Sequence, residues 1–155
     1  MKAINKKETK QILQKIEKQF GCNDLLSRLD YIFLINNKNR LYILNRDFSR
    51  IDSKALRIDS LGLYFGELKD AHIRLSIEGS QIIGAYAKKN IVELTDVDAK
   101  KWIRGEVLDI DESKYNNIEG FVIIKNKNNF CGSGSIRNSK LLNYTPKVRR
   151  IVVSS

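Results

Sequence analysis

The final 35 residues of the chain carry the side chains best suited to binding a polyanion. Seven of them are basic and none is acidic, so this segment supplies seven of the ten net positive charges. Each Lys or Arg set against a phosphate releases condensed counterions, so a basic end on a nearly neutral body is typical of nucleic-acid-binding proteins. A solubilising tail is the alternative, although the segment alternates apolar and polar residues as a folded sheet does. The seven are Lys125, Lys127, Arg137, Lys140, Lys147, Arg149 and Arg150.

Two groups of bases in this segment, with an aromatic ring between them, are the candidate RNA contacts. One group flanks a predicted turn at residues 138–139. The other surrounds the start of a predicted strand over Val148–Val153, where residues 147 and 149 would share one face and residue 150 would point to the other. The ring of Tyr144 can stack on a nucleobase while the basic side chains hold phosphates, or it can pack at a sheet edge. The candidate RNA-binding residues are Arg137, Lys140, Tyr144, Lys147, Arg149 and Arg150.

Residues that support catalysis or metal binding are few. His72 is the only histidine, and the two cysteines are distant from each other in sequence, so no zinc-site spacing exists. Cys131 and His72 have the residue types of a nucleophile and its base, but a small apolar cysteine in a strand is more typical of a core. Asp96 and Asp98 fit a helix N-terminus, and the acidic cluster at 109–112 fits a solvated loop. We therefore expect no catalytic residue, no bound metal and no cofactor.

The stretch Gly132-Ser133-Gly134-Ser135 shares its glycines with phosphate-binding loops but lacks the rest of their motifs. A P-loop needs Lys followed by Ser or Thr after its second glycine, and a dinucleotide-binding fold needs a third glycine and a following helix. Strand-like sequence follows here instead. Glycines within a strand mark a bulge or a close backbone approach. If these glycines serve a function, they would let an RNA backbone approach the strand closely.

Length and composition limit the remaining classes. A chain of 155 residues can hold one ordinary domain or two small ones that lean on each other. No apolar run approaches the roughly 20 residues that span a bilayer, and the N-terminus lacks an apolar signal-peptide core. Two cysteines are too few for a disulfide framework. We expect a cytoplasmic protein without a membrane partner, with both thiols buried or half-buried.

The N-terminal half is predicted to form a helix followed by a region rich in strands. Asn5 and Glu8 have the spacing of a capping box, apolar residues follow at helical spacing from Ile12 to Phe20, and Gly21 is placed to end the helix. Two strands joined by a five-residue polar loop then predict a hairpin. The predicted elements after the first helix are the hairpin strands Tyr31–Ile35 and Leu41–Leu44, a short helix at Ser53–Leu56, strands at Leu61–Leu68 and Ile73–Ile77, and a helical turn at Ser80–Ala87.

A second unit is predicted to begin near Lys88. Thr95 and Asp98 have capping-box spacing and start a helix that ends at Gly105. A strand precedes this helix and three follow it, at Ile91–Leu94, Gly120–Lys125, Phe130–Arg137 and Val148–Val153. The sequence therefore predicts an α+β protein in which an α/β domain over residues 1–87 abuts a small mixed β-barrel over residues 88–155.

The order of these pieces resembles the Nip-seven family of small ribosome-biogenesis factors. The first half is similar to the family's pre-PUA domain through its Lys-Glu-Thr helix, its hairpin, and the stretches Leu61–Leu68 and His72–Ile77. The second half resembles a PUA domain, an RNA-binding fold named for pseudouridine synthases and archaeosine transglycosylases, at Ala99–Gly105, Gly120–Ile123 and Gly132–Gly134. The resemblance implies a non-enzymatic factor that binds pre-rRNA or rRNA through basic residues of its PUA domain, together with other ribosome-assembly factors.

The stretch Leu142–Arg150 departs from that family. Its Asn-x-x-Pro-Lys-x-x-Arg pattern resembles the PUA-like tail of RNA cytosine-C5 methyltransferases. The chain has no room for a methyltransferase domain and has no glycine-rich cofactor loop. This second resemblance implies a stand-alone targeting partner of such an enzyme, acting on rRNA or tRNA.

Three functions therefore remain open from the sequence. The leading hypothesis is a non-enzymatic RNA-binding factor in ribosome biogenesis and rRNA processing. The second is an accessory subunit that targets an rRNA or tRNA methyltransferase to RNA. The third is a small free-standing enzyme, which the lack of a convincing nucleophile, metal site or cofactor loop disfavours.

Overall fold

The computed structural model describes residues 1–46 and 62–152, so the predicted helix at Ser53–Leu56 lies outside the described residues. Within the described residues, the strands form two five-stranded sheets, and the second curls into a half-barrel. The predicted α+β class, with a small barrel-like second half, is confirmed. We call the elements from Lys2 to Gly84 the N-terminal unit and those from Ile91 to Arg149 the C-terminal unit.

The N-terminal unit is an antiparallel sheet packed against its first helix. Its strands are hydrogen-bonded in chain order, which confirms the predicted hairpin and the glycine-containing strand. The buried rings of Phe33 and Phe65 meet edge to face with centroids 5.4 Å apart, beneath the apolar face of the helix. The elements are β1 (Lys2–Ala3), α1 (Lys6–Phe20), α2 (Leu25–Arg28), β2 (Tyr31–Ile35), β3 (Arg40–Asn45), β4 (Leu63–Lys69), β5 (His72–Leu75) and α3 (Ile77–Gly84).

Helix α1 begins and ends where the sequence predicts. The Glu8 backbone N–H donates to the Asn5 side chain at 2.8 Å, and the Asn5 amide donates in turn to the Glu8 carboxylate at 3.1 Å. Gly21 adopts a left-handed φ of 68° and donates its N–H to the Glu17 carbonyl, which closes the helix. The side chains that this helix buries are Ile12, Leu13, Ile16, Gln19 and Phe20.

Helix α3 begins earlier than predicted. Ser76 is its N-cap, since the Ser76 hydroxyl accepts the Gly79 N–H at 2.9 Å and donates to the Tyr64 carbonyl at 2.7 Å. Strand β5 therefore ends at Leu75, and the prediction of a strand through Ile77 was wrong. Ile77 continues the apolar alternation of the strand, which concealed the cap from the sequence pattern.

The C-terminal unit is a mixed sheet with one helix. Its strands follow the order β6-β8-β9-β10-β7, in which β6 is parallel to β8 and the other pairs are antiparallel. Trp102 is buried at its centre. The elements are β6 (Ile91–Glu93), α4 (Asp96–Ile103), β7 (Leu108–Asp109), a 3₁₀ turn (Glu112–Lys114), β8 (Val122–Asn126), β9 (Asn129–Arg137), β10 (Lys140–Asn143) and a second 3₁₀ turn (Lys147–Arg149).

The last strand of this sheet is β10, and the predicted strand at Val148–Val153 was wrong where the structure describes it. Asn138 and Ser139 both have positive φ, at 52° and 59°, and this two-residue turn folds β10 back onto β9. Strands β9 and β7 occupy both edges of β10, so no edge of it is left for a further strand. The chain instead makes a 3₁₀ turn after Pro146.

Helix α3 packs against both sheets at very short range. A Cβ atom built on Gly84 would lie 2.5 Å from the ring of Phe130 on β9. The Gly132 N–H donates to the Ser80 hydroxyl at 2.9 Å, and the Ser133 hydroxyl donates to the Leu75 carbonyl at 2.7 Å. The lack of a side chain at Gly84 lets the ring of Phe130 lie directly against the helix backbone.

A second connection between the units passes through the buried amide of Gln19. Its nitrogen donates to the carbonyls of Ile73 and Phe121, at 3.0 and 3.1 Å, and its oxygen accepts the Ile73 N–H at 2.8 Å. One side chain thus joins α1, β5 and the residue before β8. The amide is fully used, so its burial costs little.

We propose that the domain boundary lies between Ala87 and Lys88, which assigns residues 1–87 and 88–155 to the two domains. The chain crosses from the first sheet to the second between Gly84 and Ile91. The backbone N–H groups of Lys88 and Lys89 donate to the Phe20 carbonyl at the end of α1, so this crossing is held against the first unit.

Replacing Gln19 by Ala should destabilise the protein by about 2–4 kcal/mol, because two buried backbone groups and one partly buried group lose their partner. Urea unfolding at equilibrium measures this loss. Gln14→Ala is the matched control, since Gln14 lies on the same helix and is exposed; its effect should stay within about 0.5 kcal/mol. Equal unfolding free energies for the two variants would contradict the role assigned to the Gln19 amide.

Candidate nucleic-acid interface

The structure separates the six candidate RNA-binding residues into two groups. Arg137 and Lys140 lie at the β9–β10 turn, whereas the other four follow the far end of β10, a strand about 10 Å long. The predicted turn between the first two is present. The remaining four, which we call the junction group because two of them contact the N-terminal unit, are Tyr144, Lys147, Arg149 and Arg150.

Acidic residues oppose the turn from elsewhere in the C-terminal unit. Lys140 forms an ion pair with Asp109 on the neighbouring strand β7, and this contact lowers the pKa of Asp109. The Glu112 carboxylate accepts the Ser139 N–H. The acids of the 109–112 cluster are solvent-exposed, as predicted, although Asp109 ends strand β7 rather than lying in a loop. Arg137 is exposed and has no ion-pair partner among the described residues.

The junction group differs from the predicted strand arrangement. A 3₁₀ turn holds residues 147–149, so the alternating faces expected of a strand are absent. Arg149 pairs with Glu78 of helix α3 at 2.6 Å. Arg150 packs its side chain against Gly105 and donates to the Thr145 carbonyl at 3.1 Å. Lys147 is exposed and pairs with no acid in the part of the chain that the structure describes.

Tyr144 is half-buried and held from three sides. Its hydroxyl shares a hydrogen bond of 3.0 Å with the Ser135 hydroxyl. The guanidinium of Arg74 lies over its ring, 4.7 Å from the centroid, and the ring of Phe121 meets it edge to face at 5.5 Å. The contact with Arg74 crosses from one unit to the other. Tyr144 therefore has a structural role at the junction whether or not it contacts RNA.

A cleft of about 430 Å³ opens at this junction. The C-terminal unit contributes the stretch from Tyr144 to Pro146, and the N-terminal unit contributes Arg40, Tyr64 and Arg74. Sequence reasoning did not select those three. The one available signal was Arg74, a basic residue between buried Ile73 and Leu75, which must point away from the core of its own sheet.

The glycines of β9 serve the protein's own packing. A Cβ atom on Gly134 would lie 2.9 Å from both the Trp102 ring and the Leu142 carbonyl. Gly132 has a φ of +98° and faces Ile77. Both glycines are buried. The close backbone approach predicted for this stretch is present, and the approaching groups belong to the chain itself. Contact of this strand with RNA stays a prediction.

Comparison with protein-family models assigns a type to each half. Residues 1–77 match the model described as NIP7/UPF0113, pre-PUA domain, and residues 89–151 match that described as methyltransferase RsmF PUA domain. The chain carries a NIP7-type pre-PUA domain followed by a PUA domain. No curated protein sequence was found to match it.

These two domain types confirm both resemblances seen in the sequence. They indicate RNA binding and an RNA-related role in ribosome biogenesis. The PUA match includes the junction group and the β9–β10 turn, and the pre-PUA match includes the three cleft residues of the N-terminal unit.

The described parts of both domains contain no group of three His, Cys, Asp or Glu side chains that could hold a metal ion. Their helices also include none with the length and apolar character to cross a membrane. In the PUA domain, Asp96 accepts from the Asn126 amide and pairs with Lys127 beside the start of α4, and Thr95 accepts the Asp98 N–H, as expected for residues at a helix N-terminus.

Neither thiol of the pre-PUA–PUA chain is activated. Cys22 is buried and Cys131 is half-buried, as predicted. Burial, with a smaller contribution from Glu17, raises the pKa of Cys22 to about 11, and burial raises the pKa of Cys131. The Cys131 sulfur contacts the Asn129 carbonyl. A nucleophilic cysteine requires the opposite shift.

The Cys22 thiol should make stability fall as pH rises above about 8.5, the pKa of an unfolded cysteine. Between that pH and about 11, the unfolded chain releases the Cys22 proton while the folded chain keeps it. Urea midpoints at pH 8, 9 and 10 for the wild type and Cys22→Ala isolate the effect. The stability advantage of the wild type should shrink with pH; a constant difference would contradict the shift.

Proposed function

We propose that this protein is a non-enzymatic, cytoplasmic RNA-binding factor in ribosome biogenesis and rRNA processing, which holds RNA phosphates with the basic residues of its PUA domain. The observation that carries the proposal is the combination of a PUA-type domain with a final segment of seven bases and no acids. Cofactors and metals have no part in it. Its partners are pre-rRNA or rRNA and other assembly factors.

The distribution of ion pairs favours the junction group as the main contact with RNA phosphates. Lys147 has no partner among the described residues, and the Arg149–Glu78 pair is partly exposed, so a phosphate can compete for Arg149. Arg150 supports the turn that presents these two residues. Arg137 and Lys140 lie at the other end of β10, where two acids reduce the local positive charge.

A second function is favoured by the match to the RsmF-type PUA domain. In this alternative, the protein targets a separate methyltransferase to rRNA or tRNA. Purification of the tagged protein from its native cells, with sequencing of bound RNA and mass spectrometry of bound proteins, separates the two functions. Pre-ribosomal RNA with assembly factors supports the first, and a stoichiometric methyltransferase supports the second.

Replacing Lys147 and Arg149 together by Ala should weaken binding to a single-stranded RNA by roughly 5- to 25-fold at 0.1 M salt. Each lost phosphate contact should also make the log–log salt dependence shallower by about 0.7, from about −3 if four phosphates are engaged. Fluorescence anisotropy over a series of salt concentrations measures both quantities.

The double variant Arg137→Ala/Lys140→Ala is the matched control. It removes the same charge from the same domain, and each pair contains one ion-paired base and one unpaired base. A smaller loss of affinity in this control is expected. Unchanged affinity and slope in a folded Lys147→Ala/Arg149→Ala variant would exclude the junction group as the RNA contact.

A further inference from the structure

The cleft between the domains has the properties of a ligand site that the basic residues alone do not explain. Its volume of about 430 Å³ falls within the range of pockets that enclose small organic groups. Its lining includes two tyrosines and two arginines, and of these only Tyr144 lies within the PUA match. Such a lining suits a ligand that has both a flat ring and a negative charge.

The charge of the cleft is not balanced. Glu67 is partly buried beside it, and its carboxylate pairs with Arg74 at 2.7 Å and with Lys69 at 3.4 Å. Arg40 lies opposite Glu67 in the pairing of β3 with β4, yet it forms no ion pair with any described residue. One carboxylate therefore serves two other cations, and among the described residues none neutralises Arg40, which makes it a candidate to hold an anion.

The aromatic surface is partly preformed. The guanidinium of Arg74 lies over the Tyr144 ring, 4.7 Å from its centroid, so the two form a cation–π stack. The Tyr64 ring is supported from behind by Tyr42, with centroids 5.5 Å apart. The Tyr64 hydroxyl has no hydrogen-bond partner among the described residues. Burial, followed by the nearby Glu67, raises the pKa of Tyr64, so this hydroxyl stays a neutral donor at physiological pH.

The position of the cleft relates it to the RNA path. Pro146 lines the cleft and Lys147 is the next residue, so a backbone phosphate held at Lys147 places its neighbouring nucleotide at the opening. Unstacked bases of single-stranded RNA are typically bound between aromatic rings and arginine planes. A peptide side chain would use the aromatic surface but would leave Arg40 without an anion unless it were acidic.

We infer that the interdomain cleft binds one unstacked RNA nucleotide, with its base against Tyr64 and the Arg74–Tyr144 stack and its phosphate at Arg40. This inference rests on the proposed RNA-binding function. It adds a site shared by both domains to the phosphate contacts of the PUA domain. Bases are read here by shape and stacking, so the site selects single-stranded positions in the RNA.

Two variants of the full chain test the site by anisotropy with single-stranded RNA. Tyr64→Leu keeps an apolar side chain but removes the ring, and should weaken binding about 5- to 150-fold without changing the salt slope. Arg40→Ala should weaken binding about fivefold at 0.1 M salt and make the slope shallower by about 0.7.

Each variant has a close control. Tyr42→Leu also breaks the Tyr42–Tyr64 ring contact, but Tyr42 does not line the cleft. Lys38→Ala removes a base from the same hairpin as Arg40, in the exposed loop before β3. Lys38→Ala should bind RNA as the wild type does, and Tyr42→Leu, which keeps the Tyr64 ring, should lose much less affinity than Tyr64→Leu. Circular dichroism on all four variants verifies that they are folded.

Titration with AMP, GMP, CMP and UMP, followed by NMR, separates this inference from the proposed function. Shifts at Tyr64 and Tyr144 that Tyr64→Leu abolishes and Tyr42→Leu retains would support the site even if longer RNA did not bind. If the Lys147→Ala/Arg149→Ala variant loses RNA affinity while Tyr64→Leu and Arg40→Ala behave as the wild type, the inference is overturned and the proposed function stands. The cleft would then be interpreted as a binding site for a side chain of a partner protein.

Discussion

The short distance between helix α3 and strand β9 fixes the relative position of the two sheets. Gly84 and the serine hydroxyls of the interface allow this distance, because any larger side chain at residue 84 would occupy the place of the Phe130 ring. The contact of Arg74 with Tyr144 follows from it, since each belongs to a different unit. The cleft is thus a product of domain packing, and neither domain alone contains it.

The positive charge of the chain is distributed differently in space than in sequence. The final segment contains no acid, yet Asp109 and Glu78 approach two of its bases from a neighbouring strand and from helix α3. At the same time Arg40 and Arg74, which belong to the first half of the chain, line the same cleft as Tyr144. Folding therefore places basic residues of the first half beside the final segment, at the boundary of the domains.

Local signals in the sequence predicted most of the elements, and long-range contacts account for the errors. The caps of α1 and α4 and the β9–β10 turn depend on residues within a few positions of one another, so their patterns were readable. The strand predicted at Val148–Val153 failed because apolar alternation carries no information about whether a sheet edge is free. The sequence pattern did not mark Gln19 as a buried residue, because only the approach of β5 and the residue before β8 makes it a buried connector. The same reason explains why only part of the candidate site was predicted. Its PUA residues lie in one segment of the sequence, whereas Arg40, Tyr64 and Arg74 come close to that segment only when the domains pack.

The position of Trp102 gives the molecule an internal optical label. It is the only tryptophan in the sequence, it is buried in the C-terminal unit, and its indole N–H donates to the Cys131 carbonyl at 3.1 Å. Its emission therefore responds to the packing of the PUA half, while far-ultraviolet circular dichroism averages over both halves. Coincident transitions from the two signals indicate that the halves melt as one cooperative body, and separated transitions indicate that they do not. The unfolding of the PUA half can thus be compared with that of the whole native chain without a dye or an engineered residue.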